Sequence, residues 1–414
     1  MKLSWQTSLY RAAAGASTRI AMRLPFVECV YLRRSAASGE VQIPFSDADI
    51  AVLLSPASSA EEEGERLLVL LRRFRYARCL FPRMGESLVH ARDDFADSIA
   101  DDPYRASIDR RCAIATFGTR PSWPVTAITP RETLRRLVFW FDGYLPRALR
   151  TRNHRNARKF AIEIWNALQT ASGVIQEPFV TRRESEQHWR CSADIRLLSE
   201  ASASAEGAVR TCLTLATRAH AILRPAIGPL RSTVVFQARF LPGSGMRTII
   251  VVPHAQSPLP PEATRPDALL FTPEILDLFL NSQNPFLWHS IEKYAGQIGL
   301  PFPDIEAWEL ACLRLSAAER LRVPGFAEPT TGAHLERLQY VDAMLGLLEQ
   351  RRDPGRSEPL LARGAASMAS TIPHYYREHY PILLRNARAL RTRAAMLRKK
   401  PASTVARGVA TSGA

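Results

Sequence analysis

The sequence predicts an α/β (α+β) fold in which a small mixed-sheet domain precedes a mostly helical chain. Three observations carry this. Strand and helix patterns alternate over roughly the first ninety residues. Past the prolines Pro121, Pro124 and Pro130 the apolar spacing becomes helical. One hairpin pattern, Ser232–Phe240 and Met246–Val252 around Gly243-Ser244-Gly245, then interrupts the helices.

The elements follow in order. Trp5 to Met22 reads as an amphipathic helix punctuated by Pro25, and Phe26–Leu32 is β-branched and aromatic enough for a strand. Ser35–Gly39 is turn-prone. Ser46–Leu54 ends in the continuous apolar run of a buried strand. Ser58 or Ser59 caps the next helix, with Glu61 and Glu62 as box partners. Leu67, Leu70, Leu71 and Phe74 line that helix, and Arg72, Arg73, Arg75 and Arg78 complement its C-terminal dipole. Glu86–Ala91 is the following strand.

Thr129-Pro130-Arg131-Glu132 is a capping box that opens an apolar stripe at Leu134, Leu137, Phe141 and Leu145. Phe160, Ile164 and Leu168 mark a helix over 156–170, with Gly173 as its stop. Further helices are expected over 273–294, 305–321 and 332–349. The resulting domains are 1–125, 126–230 and 231–400, followed by a Ser/Ala/Gly-rich disordered tail over 401–414.

The 414 residues are 46% hydrophobic and 23% charged, which excludes fibrous and wholly disordered classes. Net charge is +15, mostly from arginine, and favours anionic partners such as nucleoside triphosphates, nucleic acid or phosphorylated glycans. The six cysteines are scattered with no CxxC spacing, so neither a zinc ribbon nor a disulfide framework is indicated. No signal peptide or membrane span is read, and a cytoplasmic protein is the expectation.

Residues two apart on a strand point the same way, so Asp47 and Asp49 project together while Ile50–Leu54 anchor them. Paired carboxylates on a rigid element repel unless a cation lies between them, and their hard oxygens suit Mg²⁺. Upstream, a strand ends at Arg34-Ser35 where a hydroxyl and backbone N–H groups can face a triphosphate.

Val30-Tyr31-Leu32-Arg33-Arg34-Ser35-Ala36-Ala37-Ser38-Gly39, followed by Phe45 to Leu53, resembles the signature of the DNA polymerase β-type nucleotidyltransferase superfamily. That signature is a strand ending in Gly-Ser, a small-residue turn, then Ser-Asp-x-Asp leading an apolar strand. The resemblance covers about the first quarter of the chain. It implies two Mg²⁺ ions, with Mn²⁺ as the alternative, bridging Asp47, Asp49 and a triphosphate that Ser35 contacts. The family's glycine is Arg34 here, whose charge partly compensates as an auxiliary contact to the phosphates, with Arg155 as a second. The family's third carboxylate is assigned to Glu86, which opens the strand after the helix, with Asp93 and Asp94 as alternatives in loop or cap positions.

Arg147, Arg150, Arg152, His154, Arg155, Arg158 and Lys159 run without an acid between Asp142 and Glu163. Part of this segment, Arg155 included, is expected to face the cleft, with Asn153 and Asn156 placed for a sugar or base. Aromatics are not interleaved, which disfavours nucleic acid. The C-terminal basic run Arg385, Arg388, Arg391, Arg393, Arg398, Lys399 and Lys400 reads as a solvated helix end. His374, Glu378 and His379 do not match HExxH.

The expected function is Mg²⁺-dependent transfer of a nucleoside monophosphate to an unidentified hydroxyl or phosphate acceptor. The alternatives are a catalytically altered nucleotide-binding protein and a basic nucleic-acid-binding or scaffold protein.

Overall fold

The computed structural model describes residues 5–41, 46–124, 127–133, 144–240, 245–322, 331–353 and 371–399. The side chains of residues 86 and 331–333 lie outside that description. The fold is mixed α/β, with a four-stranded sheet at the start of the chain and a three-stranded sheet within the later helical part.

Helix α1 (Trp5–Ala21) leads into β1 (Val27–Leu32) and the short helix α2 (Arg34–Ser38). Then come β2 (Ala48–Leu54), α3 (Ala60–Leu80) and β3 (Met84–Ala91). The sheet order is β3-β2-β1 with β4 (Ile114–Gly118) on the far edge of β1. β1 pairs antiparallel with β2 and β4, whereas β2 and β3 run parallel because α3 crosses between them. All seven residues of β2 are buried, as its apolar run requires of a central strand.

The N-terminus of α3 follows the sequence signature. Ser59 Oγ accepts from Glu62 N at 3.1 Å, and the Glu62 carboxylate turns back to accept from Ser58 N at 2.8 Å. The Ser35–Gly39 stretch is a helical turn rather than a loop, and it ends at Gly39 with φ 90°, the left-handed stop that glycine adopts without a Cβ penalty.

Two helices before β4 carry no strong apolar period and lie outside the expected element list: α4 (Phe95–Asp101) and α5 (Pro103–Cys112). Beyond them, Thr129 Oγ1 accepts from Glu132 N at 3.2 Å, but the Glu132 carboxylate takes Arg314 Nη2 at 3.3 Å instead of closing the box. Leu134, Leu137 and Phe141 lie outside the described residues, while Leu145 is buried on α6 (Tyr144–Arg150). α7 (His154–Ala171) fills the expected helical window. It packs with α8 (Arg182–Arg190), α9 (Ile195–Ala203) and α10 (Ala205–Leu223), and Trp165 stacks on Trp189 at 5.4 Å.

The second sheet pairs β5 (Val234–Arg239) antiparallel with β6 (Met246–Val251), the expected hairpin, whose turn at 241–244 lies outside the described residues. β7 (Ala268–Phe271) adds parallel to β6 and was not expected. The apolar window over 273–294 holds two helices, α11 (Pro273–Ser282) and α12 (Leu287–Ile298). Pro285 breaks it, since it cannot donate within a helix and restricts Asn284 before it. The window over 305–321 likewise divides into α13 (Ile305–Leu315) and α14 (Glu319–Arg322). α15 (Thr331–Arg352) follows.

The chain then returns to its beginning. α16 (Ile372–His374), a π-helical turn (Tyr375–His379) and α17 (Tyr380–Lys399) lie against α3. The basic run is solvated only in part: Arg398 and Lys399 at its end are exposed, while others pair with acids. Arg388 reaches Glu63, Arg391 reaches Asp101 at 2.9 Å, and Arg393 reaches Asp342 at 2.7 Å. Lys400 and the 401–414 tail lie outside the described residues. No helix among the described residues is long and apolar enough to cross a membrane.

Candidate active site

The end of β1 and the beginning of β2 lie side by side because the two strands are antiparallel, with Leu32 opposite Ile50. Arg33 N donates to Asp49 O at 2.9 Å and so extends the ladder to the edge of the sheet. This brings Arg34 and Ser35, at the start of α2, beside Asp49. Asp47 is exposed and Asp49 buried, and both line one cavity of about 1220 Å³.

The register between β2 and β3 explains how the carboxylates converge. Ala48 pairs with Met84 and Ile50 with Ser87, so Gly85 and Glu86 together oppose Asp49 in a β-bulge. A Cβ on Gly85 would lie 2.8 Å from Asp49 Oδ1 and 2.9 Å from Asp47 Cγ. Both carboxylates thus crowd one point above a residue that has no side chain. Glu86 belongs to the bulge by its backbone, and its side chain lies outside the described residues.

The other candidate carboxylates are placed elsewhere. Asp94 takes Arg322 Nη1 at 2.8 Å and is a structural ion-pair residue; exposed Asp93 lies outside the cavity lining. Among the described residues no three His, Cys, Asp or Glu side chains form a metal-holding group. His374 and His379 meet Nε2 to Nε2 at 3.2 Å on the π turn, remote from the carboxylate pair in the fold.

Two further features surround the pair. Tyr10 of α1 donates its hydroxyl to Ser46 O at 2.9 Å, holding the segment that leads into β2. Burial, and then the charges of Asp47 and Asp49, push the Tyr10 phenol up to about 12. Arg34 has φ 50° and places Nη1 3.5 Å from Asp49 Oδ2.

The opposite wall comes from α7 and α8. Arg155, Arg158 and Lys159 of the expected basic segment line the cavity, whereas Arg147, Arg150 and Arg152 do not. Asn153 also lines it, but its side chain caps α7 by accepting from Asn156 N at 3.0 Å. Arg158 is engaged by Glu186 at 2.5 Å. Among the described residues neither Lys159 nor Arg183 has a carboxylate within salt-bridge distance. On this side of the cavity Arg155, Arg158, Lys159, Arg182, Arg183 and Arg190 outnumber Glu163 and Glu186, so the lining from α7 and α8 is net cationic.

Sequence reasoning missed three residues that line the cavity. Arg105 and Asp109 of α5 line the cavity, and Asp109 Oδ2 accepts from Arg33 Nε at 2.8 Å. Arg105 lies 3.9 Å from the same carboxylate oxygen. Burial, and then the charge of Arg33, bring the Arg105 guanidinium down to about 10. Arg183 on α8 is the third residue. Its helix announces itself in sequence, because Thr181 and Glu184 form a complete capping box. Asp102-Pro103 gives the same kind of start signal for α5, with Asp102 accepting from Arg105 N at 3.2 Å.

No family model, no curated protein and no solved structure matches the chain.

Proposed function

We propose that the chain is a nucleotidyltransferase that moves a nucleoside monophosphate from a nucleoside triphosphate to a hydroxyl or phosphate acceptor. The observation that carries this reading is the convergence of Asp47 and Asp49 above Gly85, at a cavity whose facing wall is cationic. A cavity of about 1220 Å³ is larger than one small ligand needs, and leaves room for an acceptor beside the nucleotide.

Mg²⁺ fits this donor set, since it is commonly held by one or two carboxylates plus substrate phosphates rather than by an all-protein cage. Asp47 and Asp49 would hold it, and when bound it supplies charge neutralisation at the reacting phosphate. The chain's own residues do the rest. Ser35, at the start of α2, contacts the triphosphate. Arg155, Lys159 and Arg183 offset its charge from the opposite wall. The acceptor oxygen bonds to the α-phosphorus as the α–β phosphoanhydride bond breaks, and pyrophosphate leaves. A cytoplasmic setting fits this substrate and the six unpaired cysteines.

The test is thermal stabilisation by each ribonucleoside triphosphate with Mg²⁺. A ligand at about 100 times its Kd adds about 2.7 kcal/mol to the folded state, which is readily measured. Wild type should show the shift and Asp47→Asn/Asp49→Asn should lose it. A shift that survives both substitutions, or none with any triphosphate, refutes the reading.

Gly85 offers a second check. The Cβ of Gly85→Ala would collide with the Asp47 and Asp49 side chains, of which exposed Asp47 can swing away. The variant is expected to lose about 1–3 kcal/mol of stability in urea. It should lose the Mg²⁺-dependent nucleotide shift completely, because the two carboxylates no longer reach one point. Retention of the full shift would show that their convergence does not matter.

A further inference from the structure

Arg34 stands at φ 50°, in the left-handed region that costs a side-chain-bearing residue about 1–2 kcal/mol. Only Arg152 shares a positive φ among the described non-glycine residues. The strain is held from both sides. Arg33 N is bonded to Asp49 O, and the Arg33 guanidinium is bound by Asp109. Gly39 closes the helical turn that follows. Such over-determined strain is characteristic of functional positions.

The strained backbone delivers a guanidinium to the carboxylate pair. Arg34 Nη1 is 3.5 Å from Asp49 Oδ2, with the Asp49 side chain 6% exposed and that of Arg34 44% exposed. The cation is tethered by a flexible stem at the cavity surface, while its partner is fixed in the sheet. A divalent ion at Asp49 must compete with this resident charge. A triphosphate carries more negative charge than one carboxylate and offers the paired oxygens that a guanidinium binds best.

We propose that Arg34 is a resident cation that occupies Asp49 until a polyphosphate draws it off, so that the site admits its metal only together with nucleotide. This rests on the nucleotidyltransferase reading and adds an order of assembly to it. With the cavity empty, Arg34 lies against the buried Asp49 carboxylate and offsets part of its charge. With a triphosphate present, the same guanidinium moves onto phosphate and Asp49 becomes a ligand. Metal and nucleotide are then thermodynamically coupled through one side chain.

The experiment is a Mn²⁺ titration followed by electron paramagnetic resonance, with and without a non-hydrolysable ATP analogue. It compares wild type with Arg34→Gly, which relieves the backbone strain, and Arg34→Gln, which keeps most of the side-chain length without the charge. Without nucleotide, both variants should bind Mn²⁺ about tenfold more tightly than wild type, the equivalent of one partly buried ion pair removed. The analogue should then raise Mn²⁺ affinity more in wild type than in either variant. Equal Mn²⁺ affinity in all three proteins without nucleotide overturns the proposal, as does coupling unaltered by the substitutions. If no protein binds the analogue under any condition, the nucleotidyltransferase reading fails, while the nucleotide-free comparison still decides whether Arg34 holds Asp49.

Discussion

Arg322→Ala is expected to destabilise the protein by about 3–5 kcal/mol, the cost of breaking a buried ion pair from one side. Its guanidinium is fully buried and joins two parts of the chain that flank the four-stranded sheet. Nε donates to Glu63 of α3 at 2.6 Å, and Nη1 donates to Asp94 at 2.8 Å, just beyond β3. Tyr380 of α17 shares Glu63 through a 2.7 Å hydrogen bond, and Tyr376 bonds the Arg322 carbonyl. Alanine leaves Asp94 without its two-pronged partner, and leaves buried Glu63 to Tyr380 and the half-exposed Arg388. Methionine restores volume but not charge, so Arg322→Met should recover little. Urea unfolding at neutral pH measures both, and a loss below about 1 kcal/mol would show that the network is replaceable.

The same network fixes a pH dependence. Burial raises the Asp94 carboxyl, but Arg322 more than offsets this and holds it below its ordinary value. A depressed carboxyl contributes stability above its unfolded pKa, near 3.9, and that contribution is lost as pH falls through the lower folded value. Without Arg322 the largest influence opposing burial is gone, and the contribution of Asp94 shrinks. The gap between wild type and Arg322→Ala should therefore narrow as pH drops below about 4. A gap constant down to pH 3 would remove Asp94 from the account.

The carboxylate pair was legible because its signals are local. Alternation puts Asp47 and Asp49 on one side of the expected strand, and although β2 itself begins at Ala48, the apolar run that follows shows which part of it is buried. Arg155 was legible as part of an acid-free run, although only register with the cavity separates it from Arg147 and Arg150. The bulge that sets Gly85 against both aspartates was not legible, because it is a property of the pairing between two strands. The same holds for Arg105 and Asp109. α5 is short and polar, and its residues matter through what they meet. The C-terminal basic run was only partly legible, because the acids that its paired arginines meet lie 44 to 325 positions away. Long-range charge pairing leaves no period.

That return of the chain underlies the last expected result, on Gly64→Ala. In a helix interior alanine is favoured over glycine by about 1 kcal/mol, so propensity alone predicts stabilisation. Gly64 instead lies beneath the π turn, where an added Cβ would overlap the carbonyl oxygen of Tyr376 and touch Tyr380 Cδ1 at 3.5 Å. The obstacle is backbone and cannot rotate away. It is also fixed, since the Tyr375 and Tyr376 hydroxyls bond the Leu321 and Arg322 carbonyls. The whole C-terminal segment must withdraw from α3, loosening Tyr380 from Glu63 and opening Arg322 to water. Overpacking against a fixed backbone costs about 1–3 kcal/mol or more, so the net effect should be a loss of about 2 kcal/mol despite the helix gain. Because both substitutions act on one contact surface, Gly64→Ala should cost markedly less in an Arg322→Ala background than in wild type. Strict additivity of the two losses in urea would mean that α3 and the C-terminal segment are held together by something other than this cluster. Gain of stability in Gly64→Ala would mean that the carbonyl of Tyr376 does not approach α3 at all.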